Sequence, residues 1–268
     1  MKKIATTLLL AALIVTGCKS NEEKEATTAD TAVADSTATE KNIFATTVEN
    51  AHQKEKFAAN EAVQFDIQII FGGKERMNAT FTTLTNSTQS VIEYKDGSKI
   101  VINNDKVAYS PTIANEDAVR FDAYTWNYFF LFPYKLNDPG TIWTAYDNKE
   151  SDAADYLTEK LTFESGTGDA PDDWYVVYAN KKTNLLEKAA YIVTLMGGKE
   201  AAEKNPHAIK YVDYKEVDGV PFATKWIFAG WAEGTGLSDQ LGEATLSNIH
   251  FVKVNADTFK IGEDFKSK

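Results

Sequence analysis

His52, His207 and His250 are the only imidazoles in the chain and the first candidates for proton transfer. None stands in a zinc-protease helix, a nucleophile turn or a triad signature. His52 falls in a predicted helix, His207 follows Pro206 in a predicted turn and His250 lies in a late strand, so ordinary polar roles are expected of all three. The acidic stretch Asp169, Asp172 and Asp173, with Glu164 nearby, raises calcium as a candidate, because hard cations prefer clustered oxygens. It lacks the alternating spacing of a calcium loop, and Gly166, Gly168 and Pro171 explain it as a turn ahead of a strand. Gly166-Thr167-Gly168 is not a dinucleotide fingerprint, since a strand follows it and the third glycine is missing. No catalytic residue, no metal ligand and no cofactor is therefore expected. A hydrolase would need an acid, base or nucleophile converging in one pocket, a set the sequence does not supply.

The residue types that do stand out are apolar. Phe121, Tyr124, Trp126, Tyr128, Phe129, Phe130, Phe132 and Tyr134 place eight aromatics within fourteen residues, in a chain of formal net charge −11. At helical spacing they surround the axis instead of forming one stripe, and Pro133 should end or kink the helix. Each ring buries about 150–250 Å², and at roughly 25 cal/mol per Å² several such rings amount to many kcal/mol, a large part of what keeps a domain folded. They must be covered by the protein's own sheet, by an apolar ligand or by a membrane. The first two are compatible, because a helix in the mouth of a curved sheet can be core on one side and pocket wall on the other.

The elements that would hold this helix read mainly as strands. A first helix is expected from Ile43 to Ala59, with Phe44, Val48 and Ala51 on one face. In "VQFDIQIIF", Val63, Phe65, Ile67, Ile69 and Phe71 alternate with Gln64, Asp66, Gln68 and Ile70, which predicts a strand with one wet face. The stretch from Val91 to Ser110 has Asp96-Gly97 and Asn103-Asn104-Asp105 as turns in an antiparallel meander. Further strands are expected at Tyr156–Phe163, Trp174–Tyr178, Leu186–Leu195, Ile209–Tyr214, Phe222–Phe228 and Leu246–Val254, with Asp218-Gly219 as a turn. Gly197-Gly198 and the region from Gly230 to Gly242 read as hairpin loops. About ten antiparallel strands with few helices predict a mainly β (α+β) fold: one large curved sheet or half-barrel, with the aromatic helix covering its concave face.

The N-terminus carries an address. Lys2 and Lys3 precede an apolar run from Ile4 to Val15 that is short for a membrane span and reads as a signal peptide. Val15-Thr16-Gly17-Cys18 resembles the lipobox of bacterial lipoproteins, which implies a leader over 1–17 and Cys18 as the lipidated first residue. Cys18 is the single cysteine, so no intrachain disulfide is available. Residues 18–42 are expected to form a polar tether, leaving 43–268 as one globular domain. Removing Lys2 and Lys3 with the leader leaves 26 of the 28 basic residues against 39 acidic ones, a charge of −13, which disfavours nucleic-acid binding.

The segments "NYFFLFPYKLNDPG", "FESGTGDAPDDWYVVYANKKTNLLEKAAYIVT" and "IKYVDYKEVDGVPFATKW" resemble a family of bacterial lipoproteins whose domain is of unknown function. The likeness covers about Val48 to Val254. Its motifs are an aromatic helix followed by Asp-Pro-Gly, matched by Asp138-Pro139-Gly140, and Gly-x-Gly-Asp-x-Pro-x-Asp, matched by Gly166, Gly168, Asp169, Pro171 and Asp173. That family opens with Ala-His-Gly-Gly and a tryptophan, whereas Ala51-His52 is followed here by Gln53 and Lys54, so no family role carries over to His52. More remotely, the strand-turn-strand around Asp218-Gly219 is similar to the half-barrel of the Lol-type lipoprotein carriers and their outer-membrane acceptors, in which a curved sheet shelters acyl chains.

Together these readings predict an outer-membrane lipoprotein, non-enzymatic and attached to the membrane through Cys18. It would bind an apolar small molecule or lipid between sheet and helix. Trp126, Phe129, Phe130 and Phe132 would line the cavity, with the hydroxyls of Tyr128 and Tyr134 at its rim. The alternative is a structural or interaction lipoprotein with a solid core. No motif identifies a protein partner.

Overall fold

A computed structural model of the chain describes residues 41–268, Met196 excepted. The leader expected over 1–17, Cys18 and the part of the expected tether up to residue 40 lie outside the described residues. The chain opens with α1 (Ile43–Ala51) and α2 (Lys54–Ala58), where the sequence predicts one continuous helix. Asn42 caps α1 by accepting from the Ala45 amide at 2.8 Å. The break falls at Gln53, whose φ of 56° is left-handed, and it turns Phe57 of α2 onto the ring of Tyr134 in a stack at 3.8 Å.

Strands β1 (Ala62–Phe71), β2 (Lys74–Leu84), β3 (Gln89–Tyr94), β4 (Lys99–Asn103) and β5 (Lys106–Tyr109) form the first meander. The aromatic helix α3 (Val119–Leu131) follows and gives way at Pro133 to a 3-10 turn over Phe132–Tyr134. Then come β6 (Thr141–Ala145), β7 (Tyr156–Phe163), β8 (Tyr175–Asn180), β9 (Leu186–Tyr191), the short helix α4 (Gly198–Glu203), β10 (His207–Val217), β11 (Val220–Ala232), β12 (Gly236–Val252) and β13 (Lys266–Ser267).

All thirteen strands belong to one sheet in the order β13-β5-β4-β3-β2-β1-β12-β11-β10-β9-β8-β7-β6, with antiparallel neighbours throughout. The sheet does not close, so the architecture is an open half-barrel. The register Ile69↔Ala244 joins the two meanders through β1 and β12.

Several elements differ from the sequence reading. Gly197-Gly198 opens α4 instead of a hairpin, and His207 is the first residue of β10, not part of a turn. Gly230 and Gly242 lie inside β11 and β12, whose turn is confined to 233–235. Gly242 serves close approach: a Cβ there would sit 2.5 Å from the Ile70 carbonyl and 2.7 Å from the Phe71 ring. The polar-looking strand β2 was not singled out in the sequence, yet Met77, Ala79 and Phe81 are buried at alternate positions.

The concave face carries the main core. Phe65, Ile67 and Ile69 of β1, Phe81 of β2 and Trp226 and Phe228 of β11 close around α3, where Phe129 and Phe130 are buried. On the convex face Trp174, Tyr178, Ile192 and Trp231 form a second, smaller core covered by the β6–β7 connection and α4.

Candidate ligand cleft

The aromatic helix is held in the concavity at several points. Arg76 of β2 donates to Asp122 with both guanidinium nitrogens, at 3.1 and 2.7 Å, and the same carboxylate accepts from the Trp126 indole at 2.9 Å and the Tyr94 hydroxyl at 3.2 Å. Arg120 pairs with Asp169, and the Tyr211 hydroxyl of β10 donates to the Phe129 carbonyl at 3.0 Å.

Between this helix and one end of the sheet lies an apolar cleft of about 540 Å³. Phe121, Trp126 and Phe129 form its helical wall. The sheet contributes Phe71 and Gly72 at the end of β1, Phe228 of β11 and Leu241 of β12. The remaining edge is Tyr191 and Val193 at the end of β9, with His207 facing them from β10. Phe71 stacks on Phe228 at 5.0 Å, and Tyr191 lies edge-on to Phe129 at 5.0 Å. Burial lowers the pKa of His207 and raises that of Tyr191, so both rings are neutral near pH 7. The volume falls within the range of small-molecule sites, roughly 300–1,000 Å³.

Of the residues singled out in the sequence, Trp126 and Phe129 line this cleft. Phe130 and Tyr134 instead border a void of about 20 Å³ beside His52, room for one water and no organic ligand. Phe132 is fully buried against Tyr175 at 4.9 Å, and Tyr128 packs on the same ring at 5.7 Å. Tyr134 is also a buried residue, 5 % exposed, its ring stacked on Phe57 at 3.8 Å and away from the cleft. The sequence does not point to Phe71 and Tyr191 at strand ends, Val193 just past β9, or Phe228 and Leu241 within β11 and β12 as lining, and gives His207 no special place. Phe71 and Phe228 close runs of alternating apolar residues, a signal that could have found them.

The two motif segments meet beside the cleft. Gly140 has φ +86°, and a Cβ on it would sit 2.2 Å from the Thr167 hydroxyl; the Glu164 amide donates to its carbonyl at 2.8 Å. From the same loop Asp169 reaches Arg120 of α3, and Asp173 accepts from the Thr194 amide at 2.8 Å. These carboxylates thus tie α3 and the chain around Val193 to one loop. Among the described residues no group of three His, Cys, Asp or Glu side chains could hold a metal ion.

The other polar clusters are inside the scaffold. His52 is 1 % exposed; its Nε2 accepts from the Leu186 amide at 3.0 Å, and Nδ1 has no hydrogen-bond partner among the described residues. Burial depresses its pKa to about 3, with the Pro221 carbonyl pulling the other way. On the convex face Glu150 accepts from Tyr178, from the Trp231 indole at 3.0 Å and from Lys188 at 2.6 Å.

The model of a family of unknown function (DUF6503) matches residues 31–221. No curated protein matches the chain. Among solved structures the chain is similar to a LolA superfamily protein from Nitrosomonas europaea, with a TM-score of 0.53 at 12% identity over 80% of this chain and 97% of that one. A putative outer membrane lipoprotein-sorting protein domain from Vibrio parahaemolyticus gives 0.48 at 11% identity, over 79% and 95% of the two chains. The likeness to the Nitrosomonas europaea protein shows a shared fold, the open half-barrel.

Proposed function

The chain belongs to the family of unknown function DUF6503, and from that premise we propose that it is a lipid-anchored cell-envelope protein that shelters an apolar ligand, an acyl chain or lipid, between its curved sheet and α3. The observation that carries this reading is the cleft of about 540 Å³, walled by Trp126, Phe129 and Phe228. An apolar void of this size open to water is costly unless something fills it, whereas a solid core has no such space. The lipobox-like stretch at Cys18 supports lipid attachment to a membrane, which we take to be the outer membrane. No helix among the described residues is long and apolar enough to cross a membrane. The proposed role is binding and not catalysis: His207 and Tyr191 are the cleft's titratable groups, and no carboxylate lines it beside them.

Two measurements test the reading. Palmitate labelling of the full chain in cells should disappear in Cys18→Ala. The exported Cys18→Ala chain should bind the uncharged fluorescent probe N-phenyl-1-naphthylamine saturably, and Val193→Trp, which fills the mouth, should abolish binding while leaving the far-UV spectrum unchanged. A chain that binds no probe and retains no lipid in native mass spectrometry has a cleft without a guest, and the interaction-protein alternative would replace this reading.

A further inference from the structure

The cleft's chemistry narrows its guest. None of its lining residues carries a fixed charge. The two arginines that hold α3 are already committed, Arg76 to Asp122 and Arg120 to Asp169. A carboxylate or phosphate drawn into this space would lose its hydration without meeting a cation. The polar groups that do face the cleft are Tyr191 and His207, whose rings stack with centroids 6.1 Å apart and planes inclined by 29°. Burial shifts each toward its neutral form. A neutral imidazole offers one donor and one acceptor, and a phenol adds another donor. An alcohol or an N–H amide can use both the donors and the acceptor; an anion can use the donors only and meets no compensating charge. About 540 Å³ suits one long alkyl chain and would be overfilled by the two chains of a diacyl lipid.

We propose that the cleft selects single-chain amphiphiles with an uncharged polar end, and that His207 and Tyr191 together read that end. This rests on the apolar-ligand reading above. The test is displacement of bound N-phenyl-1-naphthylamine from the Cys18→Ala chain at pH 8 by dodecanol, 1-monolauroylglycerol, laurate and dodecyl phosphate, which share one chain length. The two uncharged compounds should displace the probe at concentrations at least about tenfold lower than the two anions, a hydrogen-bond-sized difference. His207→Phe should weaken the uncharged pair by about tenfold, leave the anions unchanged and so collapse the preference. Tyr191→Phe, which keeps the ring and removes the hydroxyl, should reproduce part of that loss in a scaffold of unaltered shape. Equal or tighter displacement by laurate or dodecyl phosphate, or a preference untouched in both variants, overturns the proposal while the cleft remains a ligand site. Absence of saturable probe binding overturns the apolar-ligand reading itself, and the proposal with it.

Discussion

The indole of Trp126 donates to Asp122 one turn back along α3, at 2.9 Å, while Arg76 clamps the same carboxylate from β2 at 2.7 and 3.1 Å. The ring that forms the helical wall of the cleft is thereby oriented by a charge anchored on the sheet. Asp122 is 4 % exposed, so its partners rely on it fully. The arrangement turns an otherwise free rotamer into a fixed surface.

Asp122→Ala should lower stability by roughly 2–4 kcal/mol, because it leaves the Trp126 indole and the Tyr94 hydroxyl unpaired and strands a guanidinium that is about one-third exposed. Urea unfolding measures the loss. Arg76→Met combined with Asp122→Ala should cost less than the sum of the two single changes. Full additivity would mean that the clamp does not act as a unit.

Lys188 and Glu150 each expose only 2 % of their side chains and meet at 2.6 Å on the convex face. Lys188→Met should destabilise by about 3–5 kcal/mol, since it leaves Glu150 charged and buried with only Tyr178 and Trp231 as donors. Replacing both, as Lys188→Met with Glu150→Gln, should recover at least half of that loss in the same unfolding assay. Probe binding should be the same in the double variant, because this network lies on the face opposite the cleft.

His52 predicts an acid dependence. Its folded pKa, about 3, lies below the unfolded value of 6.5, so the unfolded chain takes up the proton first. The stability this neutral ring contributes is complete above pH 6.5 and is lost as pH falls from 6.5 toward 3. The loss is about 2 kcal/mol by pH 5 and roughly 4–5 kcal/mol once the ring protonates in the folded state. Urea midpoints measured from pH 8 to 4 should show this slope. His52→Gln, which keeps an acceptor for the Leu186 amide, should flatten it even though the variant is less stable throughout. An unchanged slope would assign the acid sensitivity to carboxylates instead.

The alternation Val63, Phe65, Ile67, Ile69 marked β1 and its buried face, because a period of two leaves the same imprint wherever the strand ends up. Pro133 marked the end of α3 for an equally local reason: it cannot donate to a helical hydrogen bond. The break at Gln53 was not legible. Nothing in the local sequence from Ile43 to Ala59 opposes a continuous helix, and the turn is stabilised by the distant stack of Phe57 on Tyr134. Gly230 and Gly242 misled for a related reason, since a glycine that lets strands and rings approach closely looks in sequence like one that turns the chain.

By itself the sequence determined the composition of the problem: a single cysteine in a stretch that resembles a lipobox, strands of period two, and eight aromatics within fourteen residues that water could not be left to cover. Those are properties of neighbours along the chain. Which rings became core and which became wall was decided only by the tertiary structure. Phe132 and Tyr134 vanished among Tyr175 and Phe57, while Trp126 and Phe129 came to face Phe71, Tyr191 and His207 from three separate strand ends. A cleft is the space left between surfaces far apart in sequence, and its position depends on sheet curvature and register, which no local pattern of residues encodes.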